Sequence, residues 1–215
     1  MKNVMKRFSM GIAALAIILP TPFLIKDGSF NLNMIMLIFV MISWALLELY
    51  IGVSRPCEDT NPSNISVKIF RMMWFLFIFF SWLDIYHHWT MYSFPIWFNL
   101  LLFSFCVFGL FIRIWALIQL GKSFTYDVKR PQSGILITTG PYKFIRHPSY
   151  LSICILGSLP GLMLGSIIGF VGMLSTTLTL VVMRITTEED LLEKEFGRQF
   201  MAYRRNTYRL LPFIY

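Results

Sequence analysis

An all-α integral membrane protein with about six transmembrane segments is the fold class that this sequence predicts. Three observations lead there. The first is composition: 56% of the 215 residues are hydrophobic and only 14% are charged, whereas a soluble domain carries about 25% charged residues. The second is a series of apolar runs long enough for helices to cross a bilayer. The third is the one-sided placement of the basic residues along those runs. Together they leave little room for a separate soluble catalytic domain, and they exclude a disulfide scaffold and a disordered regulator.

The runs come in order at 8–25, 32–53, 69–86, 94–120, 150–164 and 166–183. A spanning helix needs roughly 20 apolar residues, so the fifth run is short. The first has a basic start, but no small-residue cleavage pattern follows it, so it is expected to be a retained helix. Pro160-Gly161 reads as the turn of a hairpin joining the last two spans. With the N-terminus inside, every basic residue except Lys26 and Arg113 falls on the inner side. That bias predicts an N-in/C-in topology. The tail after Met183 reads as an amphipathic helix, with Leu192, Phe196, Phe200, Tyr203 and Thr207 at helical spacing. It is expected either to lie on the inner membrane surface or to fold over the inner loop as a lid. The chain thus reads as one membrane domain, with N-terminal helices over 1–93 and a functional region over 94–215.

Charge and cysteine usage narrow the function. The formal net charge of +8 marks topology here and implies no nucleic-acid partner. Cys57, Cys106 and Cys154 are scattered, with no metal-binding spacing, and read as small buried residues. His87 and His88 are adjacent, so their side chains point about 100° apart on a helix and ligate one ion poorly. No metal site is expected. No glycine-rich nucleotide fingerprint and no nucleophile elbow occurs. Glu48 and Arg113 sit inside spans, where ionisable groups are costly. They can snorkel to the inner interface or face a cavity, and a pair between them would satisfy both.

The inner loop and the tail carry the densest signal. Residues 140–150 read GPYKFIRHPSY, residues 184–192 read RITTEEDLL, and Phe196-Gly197, Tyr203 and Arg209-Leu210-Leu211-Pro212 follow. This order of GxYxxxRHPxY, RxxxEE, FG, Tyr and RxxP resembles the isoprenylcysteine carboxyl methyltransferase family of membrane enzymes. It resembles the phospholipid N-methyltransferases more loosely. Arg113-Ile114-Trp115-Ala116 and Leu120-Gly121-Lys122-Ser123-Phe124 add to the likeness, which covers roughly residues 110–213.

The resemblance implies methyl transfer from S-adenosyl-L-methionine entering from the inner side. The acceptor would be a lipophilic or lipidated substrate arriving from the membrane lipids. It implies cofactor contacts at Leu136, Ile137, Tyr142, His147, Pro148, Ser149, Tyr150 and Glu188, and a substrate contact at Arg184. Gly134 stands where some members carry His, so that contact is lost or comes from the backbone.

The residue types suit the chemistry. Aromatic faces at Tyr142 and Tyr150 stabilise a sulfonium cation. Glu188 accepts charge-assisted bonds from amino or hydroxyl groups. Arg184 can grip a carboxylate with two parallel bonds. A carboxylate acceptor is already ionised at neutral pH and needs no base, whereas an amine acceptor would call on His147 or Glu189.

Arg184 and Glu188 share a face if one helix runs through both. A Thr186-x-x-Glu189 capping box would instead start a new helix between them. The expected product is a methyl ester on an isoprenylcysteine-like carboxylate. Phospholipid N-methylation, an NADPH-dependent membrane reductase of similar architecture and a non-catalytic lipid-binding or transport protein are the alternatives. The setting is a multi-pass bacterial inner membrane or endoplasmic reticulum, with the site facing the cytosol. The sequence does not settle the oligomeric state.

Overall fold

The computed structural model describes residues 32–54, 84, 94–121 and 135–212. The apolar runs at 8–25 and 69–86 lie outside these residues, apart from Asp84. So do Cys57, His87, His88, Gly134 and residues 213–215.

Among the described residues, four apolar helices form a bundle. They are α1 (Leu32–Ser54), α2 (Ile96–Leu120), α3 (Pro148–Met163) and α4 (Ile167–Phe196), followed by a short α5 (Arg198–Arg205). A 3-10 turn spans Gly140–Lys143. An isolated parallel bridge joins Ile145 and Tyr208. Helix α3 packs between α2 and α4, and α1 leans on α2 and α3.

The core follows helical periodicity. Met36, Leu37, Val40 and Met41 of α1 meet Leu102, Cys106 and Leu110 of α2 and Leu156 and Met163 of α3. These positions recur at three- and four-residue steps, one stripe per helix. Cys106 and Cys154 are buried free thiols, as small packing residues should be. The outward faces remain apolar. Phe105, Phe108, Phe111 and Trp115 of α2 and Val171, Leu178 and Val182 of α4 are exposed. Helices α2 and α4 are long and apolar enough to cross a bilayer, yet only 44% and 28% of their most apolar stretches are buried inside the protein. A soluble core helix would hide such a surface. Lipid facing these helices accounts for it. At 16 residues α3 is shorter than a full span.

Two expectations require correction. The hairpin does not turn at Pro160-Gly161, because α3 continues through both to Met163. The turn comes at Leu164 and at Gly165, whose φ is 77°. Ser166 then caps α4, its hydroxyl accepting from the Gly169 amide at 3.0 Å while donating to buried Asp84 at 2.6 Å. Gly161 serves close approach instead. A Cβ there would lie 2.6 Å from the Phe170 amide nitrogen, so the two helices touch backbone to backbone.

The tail is also different. No new helix starts at Thr186. Its hydroxyl bonds back to the Met183 carbonyl at 2.9 Å within a continuous 30-residue α4, so Arg184 and Glu188 do lie one turn apart on one helix. The amphipathic stretch breaks at Gly197, where φ is 49°. Leu192 and Phe196 therefore belong to α4 and Phe200 and Tyr203 to α5, while Thr207 lies beyond helix.

Replacing Gly161 by Ala is expected to force α3 and α4 apart and to cost about 1–3 kcal/mol. Reversible unfolding in detergent, compared with the parent protein, measures this.

Candidate active site at the polar end of the bundle

The C-terminal ends of α1, α2 and α4 and the N-terminal end of α3 gather the polar residues. The chain reaches α3 through an irregular segment, 135–139, and the 3-10 turn. Gly140 has a φ of 61°, and Gln119 of α2 packs where its Cβ would stand. Pro141 fits the first turn of the 3-10 helix, where no amide is needed. Pro148 plays the same part at the first position of α3.

Glu189 organises the site. It is 2% exposed and is bound by two arginines and a histidine. Arg146 Nε donates to its Oε1 at 2.8 Å, and His147 Nε2 lies 3.3 Å from the same oxygen. Arg209 Nε donates to Oε2 at 2.8 Å, with its Nη2 at 2.7 Å. Burial alone would push this carboxyl up. The bonds from His147, Arg146 and Arg209 outweigh burial and hold it well below the usual carboxylate range.

The clasp ties the tail onto the loop. Arg146 also donates to the carbonyls of Arg204 and Thr207. The Arg146 amide bonds Tyr208 O at 2.8 Å, the His147 amide bonds Arg209 O at 3.1 Å, and the Tyr208 amide bonds Phe144 O at 3.1 Å. The Tyr203 hydroxyl closes the cover, donating to Tyr142 O at 2.7 Å. Of the two postures expected for the tail, this is folding over the inner loop.

The predicted site residues separate into two groups. His147 and Pro148 are buried within the clasp and the start of α3. Tyr142, Ser149, Tyr150, Arg184 and Glu188 gather on the other side of the loop. The Tyr150 phenol lies within reach of both Glu188 and Arg184. Tyr142 is buried close to Glu188, and burial followed by that carboxylate pushes its phenol up, so it stays neutral. Leu136 and Ile137 are half-buried in the segment leading in.

Arg184 and Glu188 are also half-buried, yet among the described residues no salt bridge joins either of them. A guanidinium and a carboxylate left without ionic partners, next to two phenols, form a donor and acceptor set suited to a zwitterionic ligand. No cluster of potential metal ligands occurs among the described residues.

Beneath this shelf the two intramembrane charges meet. Arg113 Nη2 lies 2.9 Å from Glu48 Oε1, and Arg113 Nε donates to the same oxygen at 3.1 Å. Trp44 Nε1 donates to it at 3.2 Å. The remaining arm of Arg113, Nη1, donates to the Ser149 hydroxyl. The sequence suggested the pair but could not show the contact, because 65 residues separate the partners.

Arg146 and Arg209 were visible in the motifs but had no assigned structural role, and Glu189 was offered only as a capping-box partner or a base. A usable signal was helical phase. Val181, Ile185 and Glu189 follow each other at four-residue steps, so Glu189 continues the buried stripe of α4 while Glu188 does not.

Comparison with known proteins agrees with this arrangement. Residues 100–194 match the model of the isoprenylcysteine carboxyl methyltransferase family. The chain is 36% identical over 116 residues to the protein-S-isoprenylcysteine O-methyltransferase of Schizosaccharomyces pombe, covering 52% of this chain and 48% of that protein. It is 27% identical over 137 residues to the enzyme of that name from Dictyostelium discoideum, covering 62% of this chain and 56% of that protein. It is 32% identical over 110 residues to protein-S-isoprenylcysteine O-methyltransferase B of Arabidopsis thaliana, covering 50% of this chain and 56% of that protein. The chain thus spans about half the length of these curated relatives. Its fold is similar to the solved structure of the eukaryotic intramembrane Ras methyltransferase ICMT, with a TM-score of 0.65 at 21% identity, covering 95% of this chain and 75% of that one. The match region contains Arg113, the loop motif, Arg184 and both glutamates. Residues 100–194 are therefore similar to this family, and the fold is similar to that of the solved methyltransferase.

Because folding depresses its pKa, Glu189 adds stability above its unfolded value of about 4.3. That contribution is lost as the pH falls through the lower folded value. Glu189→Gln is expected to cost about 3 kcal/mol at pH 7, with the difference from the parent protein shrinking below pH ~4. Thermal unfolding followed from pH 7 to pH 3 tests this, and a difference independent of pH would contradict it.

Proposed function

We propose that this protein is a membrane methyltransferase that uses S-adenosyl-L-methionine to O-methylate the carboxylate of a lipophilic, isoprenylcysteine-like substrate. The observation that carries the reading is the half-buried, ionically unpartnered pair Arg184 and Glu188 beside Tyr142 and Tyr150. The resemblance of residues 100–194 to methyltransferases supports it.

The residues fit the donor and the reaction. S-adenosyl-L-methionine supplies an electrophilic methyl group on a sulfonium. Glu188 accepts hydrogen bonds from the donor's amino or hydroxyl groups. Tyr142 and Tyr150 offer their faces to positive charge. The neutral state of Tyr142 keeps its hydroxyl available as a donor. Ser149 adds a hydroxyl at the start of α3, and Leu136 and Ile137 offer an apolar wall. His147 and Pro148 shape that start from behind, through the Glu189 clasp. Arg184 grips the acceptor carboxylate and aims one oxygen for in-line attack.

No base is required, because the acceptor is ionised at neutral pH. Glu189 is a poor base in any case, since Arg146, His147 and Arg209 already hold its oxygens. This favours a carboxylate acceptor over the amine of a phospholipid. The exposed apolar faces of α2 and α4 give a lipid-borne substrate a route from the bilayer.

The setting follows from the charge pattern. The chain is a multi-pass protein of a bacterial inner membrane or the endoplasmic reticulum, N-in/C-in. Its polar end, and so its site within 94–215, faces the cytosol.

Transfer of isotope-labelled methyl from S-adenosyl-L-methionine tests the reading, with a farnesylated cysteine bearing a free carboxylate offered beside phosphatidylethanolamine. Label is expected in a base-labile ester on the cysteine derivative. Glu188→Ala is expected to abolish donor binding. Arg184→Ala is expected to keep donor binding and to lose turnover by about a hundredfold or more. Full transfer by both variants, or label in the phospholipid headgroup alone, would overturn it.

A further inference from the structure

The Glu48–Arg113–Ser149 chain is the largest polar assembly that the site description leaves without a task. It crosses three helices. Trp44 and Glu48 come from α1, Arg113 from α2 and Ser149 from α3. Glu48 lies outside residues 100–194, the region matched by the family model.

Position gives the assembly a consequence. Arg113 is 4% exposed, and its Nη1 arm reaches the hydroxyl of the residue next to Tyr150. The guanidinium is close enough to act electrostatically on both Tyr142 and Tyr150. Those two phenols are the faces offered to the sulfonium. A bare guanidinium there would repel that cation, and the low dielectric of the bilayer would strengthen the repulsion. Glu48 Oε1 receives the other two nitrogens of the guanidinium, Nε and Nη2, and neutralises it from the side opposite Ser149.

We propose that Glu48 is an electrostatic positioning residue for the methyl donor. It cancels the charge of Arg113 behind the aromatic wall, so that the wall accepts a sulfonium, and through Arg113 it fixes the Ser149 hydroxyl at the head of α3. The inference rests on the methyl-transfer reading and concerns ligand charge, which that reading does not address.

S-adenosylmethionine and S-adenosylhomocysteine differ by one methyl group and one positive charge at the sulfur. Calorimetric titration of the full chain in lipid nanodiscs with each ligand therefore reads the field at the site. Glu48→Gln is expected to weaken S-adenosylmethionine roughly tenfold more than S-adenosylhomocysteine. Arg113→Gln removes the cation but keeps the carboxylate, still bonded by Trp44, and is expected to move the ratio of affinities the opposite way. The double variant is expected to return the ratio towards that of the parent, even if both affinities fall through loss of the Ser149 contact.

A general structural role would weaken both ligands equally, and equal losses in Glu48→Gln overturn the proposal. If Glu48→Gln does not fold, the Arg113→Gln ratio decides, and no shift towards the sulfonium overturns it. Failure of the parent protein to bind either ligand would instead overturn the methyl-donor reading itself.

Discussion

The carboxylate of Glu189 is the constraint on which the rest of the site depends. Loop 144–147 and tail 206–210 are short irregular segments that bury one aliphatic side chain each, Ile145 and Leu210, and neither could hold a fixed conformation alone. Both carry arginines. One acceptor at the end of α4 captures Arg146, His147 and Arg209 together, and backbone bonds between the segments follow from that alignment. A buried pair stripped of one partner costs more than it contributes when complete. The clasp is therefore cooperative: while Glu189 is ionised, the start of α3, the cover formed by Tyr203 and the path of the tail are all defined.

That arrangement explains why α4 runs on past the bilayer. Its apolar stretch ends near Met183, and the helix continues to Phe196 without a new cap. The same rigid rod thus carries Arg184 and Glu188 on one side and Glu189 on another. A break at Thr186 would have let the two sides drift apart. Continuity converts the clasp, a stabilising device, into a means of aiming Arg184 and Glu188 at the tyrosines.

Much of this was legible in the sequence. The apolar stripes of α2 and α4, the polar concentration at one end and the loop and tail motifs all follow from periodicity and residue type. The hairpin turn was misplaced because a proline-glycine pair usually marks a turn, whereas in a tightly packed bundle Gly161 marks helix contact. The tail helix was drawn too long because Gly197 does not interrupt the apolar spacing, although its backbone breaks the helix. Contacts such as Arg113 with Glu48 lay beyond reach, since long-range pairing leaves no trace in local pattern.

The neighbouring glutamates show how one helix separates support from chemistry. About 100° of rotation divides residue 188 from residue 189. Glu189 falls on the buried stripe with Val181 and Ile185, and its oxygens go to Arg146, His147 and Arg209. Glu188 falls on the half-buried edge with Arg184, where no salt bridge joins either among the described residues. Glu48 and Arg113 spend their opposite charges on each other, which a bilayer demands. What remains uncompensated in so apolar a protein is therefore informative. Among the half-buried charges of the described residues, Arg184 and Glu188 are the ones that no salt bridge joins, they lie beside two aromatic rings, and that is where the proposed charged ligand would complete the structure.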